Sequence, residues 1–406
     1  MAERIKPSNR IKPGTRADCL ALDQVDPLGH FRQRFHRPPG LIYLDGNSLG
    51  MMPKSVPPRI AAVLAEEWAE GLIRSWDDAG WWDLALRVGA KIAPLIGART
   101  DEVVATDSTS INLFKLLAAA LALRPERRVI LTDPGNFPTD LYIAEGLTRL
   151  VPGCVLRSVP PGGIAAALDR SVAVVLLGHV DYRSAELLDM PGITRAAHQA
   201  GALALWDLSH SAGAIAVALD AAEVDLAVGC GYKYLNGGPG APAYLYVRQD
   251  LQADIATPIA GWWGHAEPFA FASSYVAAPG IARMLCGTQP ILALAALDAA
   301  LELWREIDFA LLEEKRIGLS NLFIGLIEEH CPELVLATPR DPSRRGSHVS
   351  FRHPKGRALL EALRDAGVVA DFRGPDILRF GITPLTLGYT DLCDAVERLA
   401  RALPLV

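Results

Sequence analysis

The chain has 406 residues, of which 50% are hydrophobic and 21% are charged, a composition typical of a globular protein with a large core. Its 40 lysines and arginines and 46 aspartates and glutamates give a formal net charge of −6, and no long basic run occurs. This balance argues against nucleic acid or an anionic membrane as the main partner. The length predicts two or three domains, or one large domain with an appendage.

The N-terminal stretch 1–16 is basic and polar with no apolar segment behind it, which argues against a secretory signal. The longest apolar runs, such as LFKLLAAALAL (113–123), are too short or too interrupted to span a bilayer. Six cysteines are scattered without a CxxC pair, which predicts reduced thiols in a cytoplasmic protein and argues against a zinc site.

The first predicted elements are an arm and a helix. Residues 1–40 are rich in proline and arginine and show little periodicity, which predicts an arm that packs on another part of the protein. From 55 to 70 apolar residues recur at helical spacing, and we expect Trp68 to lie in the core.

Apolar runs of strand length follow, with helical stretches between most of them. Their length and apolar character predict strands buried on both faces. These runs are RRVILTD (127–133), SVAVVLLGHV (171–180), GALALWDLSH (201–210), VDLAVGCGYK (224–233) and PAYLYVR (242–248). The alternation predicts a parallel sheet built from βαβ units.

The pattern changes near Thr288. The stretch 288–307 predicts one long helix that leads to a second domain. Beyond it, HVSFRHP (348–354), a helical stretch, a loop at 372–376 and ILRFGIT (377–383) predict a small α+β domain.

Polar side chains stand where two of the predicted parallel strands end. Asp207 ends one strand and His210 follows it, while the next strand leads into Tyr232 and Lys233. Ligands of open parallel sheets bind beyond the carboxyl ends of the strands. Each residue alone has a commoner explanation: the aspartate as a turn cap, the histidine as a packing residue and the lysine as a solvated surface group.

A second candidate site precedes a predicted helix, where Ser108, Thr109 and Ser110 stand together. Hydroxyls and free backbone N–H groups at a helix N-terminus form an anion site, which suits a phosphate. An ordinary helix N-cap is the more common explanation of such residues taken alone.

Taken together, these residues fit the chemistry of pyridoxal 5′-phosphate (PLP). A lysine amine forms a Schiff base with the cofactor carbonyl, and a carboxylate pairs with the pyridinium nitrogen. Lys233 and Asp207 on successive strands can reach opposite ends of one pyridine ring, and Phe137 is the candidate for an aromatic face over it. The lone lysine of GCGYKYLNGGPG (229–240) is then the cofactor anchor.

The chain resembles the kynureninase family of the PLP-dependent aspartate-aminotransferase superfamily, known as fold type I. An ordered set of motifs along nearly the whole chain carries the resemblance: IYLDGNSLG (42–50), GLIRSWDDAGWW (71–82), DSTSINLFK (107–115), NFPTD (136–140), HVDYRS (179–184), WDLSHSAGA (206–214), GCGYKYLNGGPGAPAYLYV (229–247), GWWGH (261–265), CGTQPI (286–291) and LRFGITPLT (378–386).

The resemblance implies an α/β fold in which helices flank a mostly parallel sheet in a large domain and a small α+β domain follows. The expected boundaries are an N-terminal arm that packs with the small domain (1–50), a large PLP-binding domain (51–299) and a small C-terminal domain (300–406).

The resemblance also implies how the cofactor is held. Lys233 is expected to form the Schiff base, Asp207 to pair with the pyridine nitrogen, Phe137 to stack on the ring and Asp140 to support the site. The residues expected around the phosphate are Thr109, Ser110, His210 and Tyr232.

Two further cofactor positions, Trp262 and Thr288, match residues that the other subunit often supplies in this family. They imply a homodimer with active sites at the subunit interface. Arg379 matches the arginine that grips the substrate α-carboxylate, with a buried structural ion pair as the alternative. Ser48 and Trp76 match positions near the substrate.

The implied reaction is hydrolytic cleavage of the Cβ–Cγ bond of L-kynurenine to anthranilate and L-alanine, without a metal ion. Lys233, Tyr232 and Asp207 are the expected catalytic residues, although Tyr232 is as well explained by phosphate binding alone. Trp76 and Thr288 stand where animal enzymes that prefer the 3-hydroxylated substrate carry histidine and asparagine. We therefore expect 3-hydroxykynurenine to be cleaved less well than kynurenine.

Three alternatives remain at this point. Another fold-type-I enzyme, such as a cysteine desulfurase or an aminotransferase, would use the same lysine. A nicotinamide-dependent Rossmann protein is disfavoured because no GxGxxG opens a helix after a strand. A non-catalytic binding protein would be favoured by loss of Lys233 or Asp207, and both are present.

Overall fold

The structure, a computed structural model, describes residues 15–406, so the first 14 residues of the predicted arm lie outside it. The chain forms two compact units. The large unit comprises Ser48–Tyr182 and Glu186–Glu306. The small unit comprises the described part of Met1–Asn47, together with Arg183–Ala185 and Ile307–Val406.

The described residues contain α-helices of four to 22 residues. The helices are α1 Arg16–Val25, α2 Val56–Ala62, α3 Ser75–Asp78, α4 Leu84–Ile92, α5 Thr109–Leu123, α6 Pro138–Leu150, α7 Ile164–Ala167, α8 Met190–Gln199, α9 Ile291–Leu301, α10 Phe309–His330, α11 Gly356–Asp365 and α12 Tyr389–Ala402.

The strands are short, with at most seven residues among those described. They are β1 Ile42–Tyr43, β2 Val103–Ala105, β3 Val129–Thr132, β4 Val155–Ser158, β5 Val172–Gly178, β6 Leu203–Asp207, β7 Leu226–Cys230, β8 Ala243–Val247, β9 Val335–Leu336, β10 His348–Arg352, β11 Val368–Val369, β12 Asp371–Arg373 and β13 Ile377–Gly381.

A seven-stranded sheet forms the centre of the large unit, in the order β2-β8-β7-β6-β5-β3-β4. The pairs β3–β4, β3–β5, β5–β6 and β6–β7 are parallel, which confirms the predicted mostly parallel sheet. Strands β6, β7 and β8 are buried along their whole length, and α5 and α8 pack against the sheet. Burial on both faces explains why these strands are continuous apolar runs.

Strand β8 is the exception to the parallel order, because it runs antiparallel to both β7 and β2. The prediction that the run 242–248 continues the βαβ pattern is therefore wrong in direction. A parallel connection needs a crossover of a dozen or more residues, usually a helix. The connection from β7 to β8 holds no helix, so the chain turns back and pairs antiparallel.

The small unit contains a four-stranded antiparallel sheet in the order β12-β13-β10-β9 and a parallel pair of β1 and β11. Its core includes edge-to-face contacts among Phe323, Phe351 and Phe380, whose ring centroids lie 5.1 to 6.3 Å apart. The predicted loop at 372–376 is partly wrong, because β12 covers its first residues. The sequence of β12 is polar because Asp371 pairs with Arg379 across the sheet and Arg373 pairs with Asp371 within the strand.

Two predictions about helices also fail. Trp68 is 56% exposed and not in the core, because it lies in a π-helical segment, Val63–Gly71, whose wider turn shifts side chains off the expected face. The predicted single helix at 288–307 begins only after Pro290, as α9, and ends in a 3₁₀ turn, Glu302–Glu306.

A disulfide joins Cys19 of α1 to Cys393 of α12, so the prediction of six reduced thiols is wrong for this pair. The two cysteines are 374 positions apart in the sequence, and they meet because α1 packs against α12. Cys154, Cys230 and Cys286 are among the cysteines that stay free. None of the helices described between residues 15 and 406 is long and apolar enough to cross a membrane.

Candidate active site

Lys233 lies in a cluster of side chains at the carboxyl ends of the parallel strands. It follows β7, and its Nζ is 3.1 Å from Nε2 of His210, which follows β6. The same Nζ lies 5.8 Å from the ring centroid of Phe137 and 5.9 Å from that of Tyr232. The structure thus brings together four residues that the sequence places up to 96 positions apart.

The backbone beside Lys233 is crossed by the segment that carries Ser48. The N–H of Gly50 donates to the carbonyl of Tyr232 at 2.8 Å, and Asn236 Nδ2 donates to the carbonyl of Met51 at 2.9 Å. A Cβ atom at Gly50 would lie 2.1 Å from the carbonyl oxygen of Lys233, so this approach requires glycine. Half-buried Ser48 is therefore held two residues from the contact.

Asp207 and Asp140 form a pair of buried acids beside Lys233. Asp207 ends β6, and its Oδ1 accepts a hydrogen bond of 2.8 Å from the N–H of Ser209. Asp140 lies in the first turn of α6 and is almost fully buried. Burial and the charge of Asp207 raise the pKa of Asp140 well above its usual range, against an opposing effect of Lys233. Asp140 therefore holds a proton more readily than a solvent-exposed aspartate does.

The residues present fit PLP. Asp140 and Asp207 lie within hydrogen-bonding reach of each other, so the two carboxyl groups form one buried acidic site. A protonated pyridine nitrogen would supply the positive charge and the N–H donor that such a site binds. Phe137, with 37% of its surface exposed, offers an open ring face next to Lys233.

The N-terminus of α5 carries the predicted phosphate residues. Ser108 is the N-cap, since its hydroxyl accepts a hydrogen bond of 3.4 Å from the N–H of Ile111. The common alternative for the three hydroxyl residues therefore applies to Ser108. Thr109 and Ser110 lie in the first turn, where backbone N–H groups have no partner within the helix. These backbone N–H groups remain available to bind an anion.

Two residues that contact Phe137 were not predicted from the sequence as part of the site. Asn136 Oδ1 accepts hydrogen bonds from the N–H of Phe137 at 2.8 Å and of Gly178 at 3.1 Å, which ties the loop after β3 to the end of β5. The ring of Tyr182 packs edge-on against Phe137, with centroids 5.2 Å apart. The available signal was their place in the motifs NFPTD and HVDYRS.

Tyr232 is half-buried beside Lys233. Burial raises the pKa of its phenol above the usual value, and Cys230 and Asp207 add to the effect. The phenol therefore stays protonated near neutral pH and can donate a hydrogen bond or a proton.

Trp262 and Thr288 lie in a different cluster, and both are exposed on the large unit. Their segments are adjacent, because the N–H of Trp263 donates to the carbonyl of Cys286 at 3.1 Å. Trp76 belongs to the same cluster: its ring centroid is 5.2 Å from that of Trp263.

Arg379 lies in β13 of the small unit and is 1% exposed. Its cross-strand partner in β12 is Asp371, whose carboxylate accepts a hydrogen bond from the Arg379 guanidinium. Asp371 also pairs with Arg373 Nη2 at 2.8 Å. Burial lowers the pKa of Arg379, and the charge of Asp371 opposes that effect. The guanidinium thus has a carboxylate partner within the chain, as the structural alternative requires.

Comparisons with known proteins show that the chain is similar to kynureninases. Residues 312–399 match the family model of the kynureninase C-terminal domain. A kynureninase of Pseudomonas fluorescens is 52% identical over 397 residues, covering 96% of this chain and 95% of the relative. A kynureninase of Burkholderia mallei (strain SAVP1) is 49% identical over 393 residues, covering 95% and 94%.

Solved structures agree on the fold. A mutant of C-DES with glycine covalently linked to its PLP cofactor superposes with a TM-score of 0.79. The match covers 91% of this chain and 98% of the other at 18% sequence identity, so it concerns the fold alone.

Proposed function

The chain belongs to the kynureninase family, and we propose that the cluster around Lys233 is its active site. The enzyme is a PLP-dependent hydrolase that cleaves the Cβ–Cγ bond of L-kynurenine. Water supplies the hydroxyl of the anthranilate carboxyl group and the hydrogen of the alanine methyl group. The placement of Lys233 and Asp207 at the ends of neighbouring parallel strands is the observation that carries the site assignment.

When bound, PLP supplies an electron sink for the bond-breaking steps. Lys233 would anchor the cofactor covalently in the resting enzyme, and its Nζ, freed when the substrate amine takes its place, would remove the substrate α-proton. Asp207 holds a proton on the pyridine nitrogen, which keeps that sink effective. Asp140 stays neutral beside Asp207, so the pair carries one negative charge opposite one ring cation.

The phosphate is assigned to Thr109 and Ser110 at the start of α5, with His210 and Tyr232 beside it. Tyr232 also donates a proton during hydration and cleavage of the aryl ketone. Its raised pKa suits a proton donor, because the phenol is fully protonated when the step begins.

Arg379 binds the substrate α-carboxylate, and Ser48 and Trp76 lie near the rest of the substrate. Arg379 carries five N–H donors, so it can share its guanidinium between Asp371 and a second carboxylate. An aromatic pocket with no placed partner for a 3-hydroxyl leaves that group desolvated, at a cost of about 1–3 kcal/mol.

Substrate preference follows from that cost. We expect kcat/KM for kynurenine to exceed that for 3-hydroxykynurenine by roughly one to two decades. The double variant Trp76→His with Thr288→Asn should shift the ratio toward the hydroxylated substrate. Equal wild-type values would refute the preference, and an unchanged ratio in the double variant would place the determinant elsewhere.

The functional unit is a homodimer in which Trp262 and Thr288 reach the partner's cofactor. Support comes from the exposure of both residues and from Phe269 and Phe271, which are exposed in the segment that follows Trp262. Large apolar side chains that share one surface are typical of a subunit interface.

The proposed domains are the arm (1–50), the large PLP-binding domain (51–299) and the small domain (300–406). The two compact units support this division, although 48–50 and 300–306 cluster with the large unit. The proposed location is the cytoplasm; free Cys154, Cys230 and Cys331 agree with it, whereas the Cys19–Cys393 disulfide does not add to that support.

The position of Cys230 argues against it as the reactive cysteine of a desulfurase. A desulfurase needs a reactive thiolate on an accessible loop. Cys230 lies in β7, and burial raises the pKa of its thiol.

The test is anthranilate formation from L-kynurenine, followed by fluorescence, together with an absorbance spectrum of the purified protein. We expect a yellow band that borohydride bleaches and stoichiometric release of anthranilate and alanine. Bleaching without anthranilate would indicate another fold-type-I reaction, and a colourless protein that does not bind added PLP would refute the site itself.

A further inference from the structure

Lys115 is a buried lysine in the middle of α5. Its side chain is 0% exposed, and its Nζ lies 2.5 Å from Oδ2 of Asp107 and 2.8 Å from the carbonyl oxygen of Met284. Helical side chains lean toward the N-terminus of their helix, which lets Lys115 reach back to a residue eight positions earlier. The lysine thus connects the body of α5 to the chain that enters it.

Asp107 stands at the turn that enters α5, directly before the N-cap Ser108. Its φ of +50° lies in the left-handed region, which few residues other than glycine, asparagine and aspartate adopt. Lys115 pairs with the side chain of Asp107. The backbone carbonyl of Asp107 accepts a hydrogen bond of 2.9 Å from the N–H of Ala243 in β8. The turn is therefore fixed from both the helix and the sheet.

The same network reaches the segment that carries Thr288. The hydroxyl of buried Thr106 lies 3.2 Å from Asp107 Oδ2 and 3.1 Å from Oε1 of Gln289. Met284, whose carbonyl oxygen accepts a hydrogen bond from Lys115, lies four residues before Thr288. The contacts of Lys115 and Thr106 thus connect the turn before the phosphate residues to a second cofactor-side candidate.

Stability alone does not explain a lysine at this position. The neighbouring buried residues of α5 are mostly apolar, and an apolar side chain would avoid the cost of burying a charge. An ion pair to a buried lysine is instead well suited to hold one geometry, because the Lys115 ammonium would be strongly unfavourable without the carboxylate of Asp107.

We propose that Lys115 and Asp107 are positioning residues for the cofactor phosphate. The ion pair holds the left-handed turn at Asp107, and this turn sets the direction in which Thr109 and Ser110 present their N–H and hydroxyl groups. The site is then formed before the cofactor arrives, so less binding energy is lost in ordering it. The inference rests on the proposed function, in which Thr109 and Ser110 bind the phosphate.

The test measures the dissociation constant of PLP for the full-length enzyme after the cofactor is removed and added back. Lys115→Met keeps the length of the side chain and removes its charge, and Asp107→Asn keeps a residue that tolerates the left-handed turn. We expect each to weaken PLP binding roughly tenfold or more. At saturating PLP, kcat should stay within about twofold of the wild-type value and its dependence on pH should be unchanged, since neither residue touches the substrate.

Lys315→Met is the matched control. Lys315 is a comparably buried lysine, 3% exposed, and forms an ion pair with Asp26 in the small unit at 2.7 Å. Its loss should lower the melting temperature as much as the loss of Lys115, while the PLP dissociation constant stays at the wild-type value. An equal rise in the dissociation constant in Lys315→Met would overturn the proposal, because general destabilisation would then explain both variants.

The double variant Lys115→Met with Asp107→Asn separates positioning from an unpaired charge. It should recover melting temperature but keep the raised dissociation constant, and full recovery of PLP affinity would overturn the positioning role. Thr109→Ala completes the set. Weak binding in Thr109→Ala with normal binding in Lys115→Met would overturn this inference alone, whereas normal binding in both would also remove the phosphate assignment.

Discussion

Two regions of the molecule bury charged side chains in opposite ways. In the large unit, Lys233, Asp207 and Asp140 follow strands or begin a helix, and the pKa of Asp140 is raised. In the small unit, Arg379 lies inside β13 and is bound by Asp371 directly across the sheet.

The difference shows where a ligand is needed. Strand register places Asp371 opposite Arg379 whether or not a substrate is present, so this pair is complete within the chain. The acid pair at the strand ends consists of two buried carboxyl groups that raise each other's energy when charged, and a cationic ring would stabilise it. We therefore expect substitutions at the Lys233 cluster to affect chemistry. Arg379 keeps N–H donors beyond those that Asp371 accepts, so substitutions there are expected to affect substrate binding.

Lys233→Ala should have the largest effect. Without the amine there is neither covalent anchor nor base for the α-proton, so anthranilate formation should fall by at least about a thousandfold. The protein should still fold, with a melting temperature close to wild type. Lys355→Ala, an exposed lysine of the small unit, is the control and should keep full activity. Retention of activity and of a borohydride-sensitive chromophore in Lys233→Ala would mean that another lysine is the anchor.

Asp207→Asn should come next. A neutral amide cannot hold the ring proton, so removal of the α-proton should slow by roughly a hundredfold or more, while PLP affinity changes less. Single-turnover absorbance after mixing with kynurenine measures the step directly. Asp140→Asn should slow it less, because that acid is already neutral. Unchanged kinetics in Asp207→Asn would contradict the role of Asp207.

Arg379→Lys should mainly weaken substrate binding, although the charge is kept. The guanidinium fork can make parallel hydrogen bonds that an ammonium cannot, and loss of one charge-assisted bond is worth about 1.5–3 kcal/mol, or one to two decades in kcat/KM.

Asp371→Asn sharpens the comparison between the two regions. If Asp371 only orients Arg379, its loss should raise KM for kynurenine and leave kcat almost unchanged. Values of KM and kcat within twofold of wild type in Arg379→Lys would favour a purely structural ion pair.

The smallest expected effect is a change in the free energy of unfolding with pH, caused by the buried His179 beside Asp207. Burial lowers the pKa of this histidine from 6.5 to about 4. The folded state therefore resists protonation while the unfolded state accepts it, so stability present above pH 6.5 is lost as the pH falls toward 4. Between pH 7.5 and pH 5 the loss should be about 2 kcal/mol.

Urea unfolding at the two pH values checks this expectation, with His179→Phe as the variant that cannot titrate. The variant should lose less stability than wild type over the same range. Equal losses would show that His179 contributes nothing to the pH dependence.

The sequence predicted the features that depend on the pattern of a single strand or helix. Asp207, His210 and Lys233 follow apolar runs, and the carboxyl ends of parallel strands meet at one edge of a sheet, so their proximity follows from the strand pattern. The helix N-terminus at Thr109 and Ser110 is equally local, because hydroxyl residues directly precede an apolar helical run.

Only the tertiary structure decided the features that depend on pairing between distant segments. The register of β12 and β13 gives Arg379 its carboxylate partner, and the packing of α1 on α12 joins Cys19 to Cys393.

Lys115 shows the limit most clearly. In the sequence it interrupts an apolar helix, and its partner Asp107 stands eight positions earlier, before the helix begins. The partner appears only when the left-handed turn at Asp107 brings a carboxylate back over the start of α5. Residue types and local spacing determined which chemistry this chain can support. The folded backbone determined which charges neutralise one another, because electrostatic interactions depend on distance in space and not on separation along the chain.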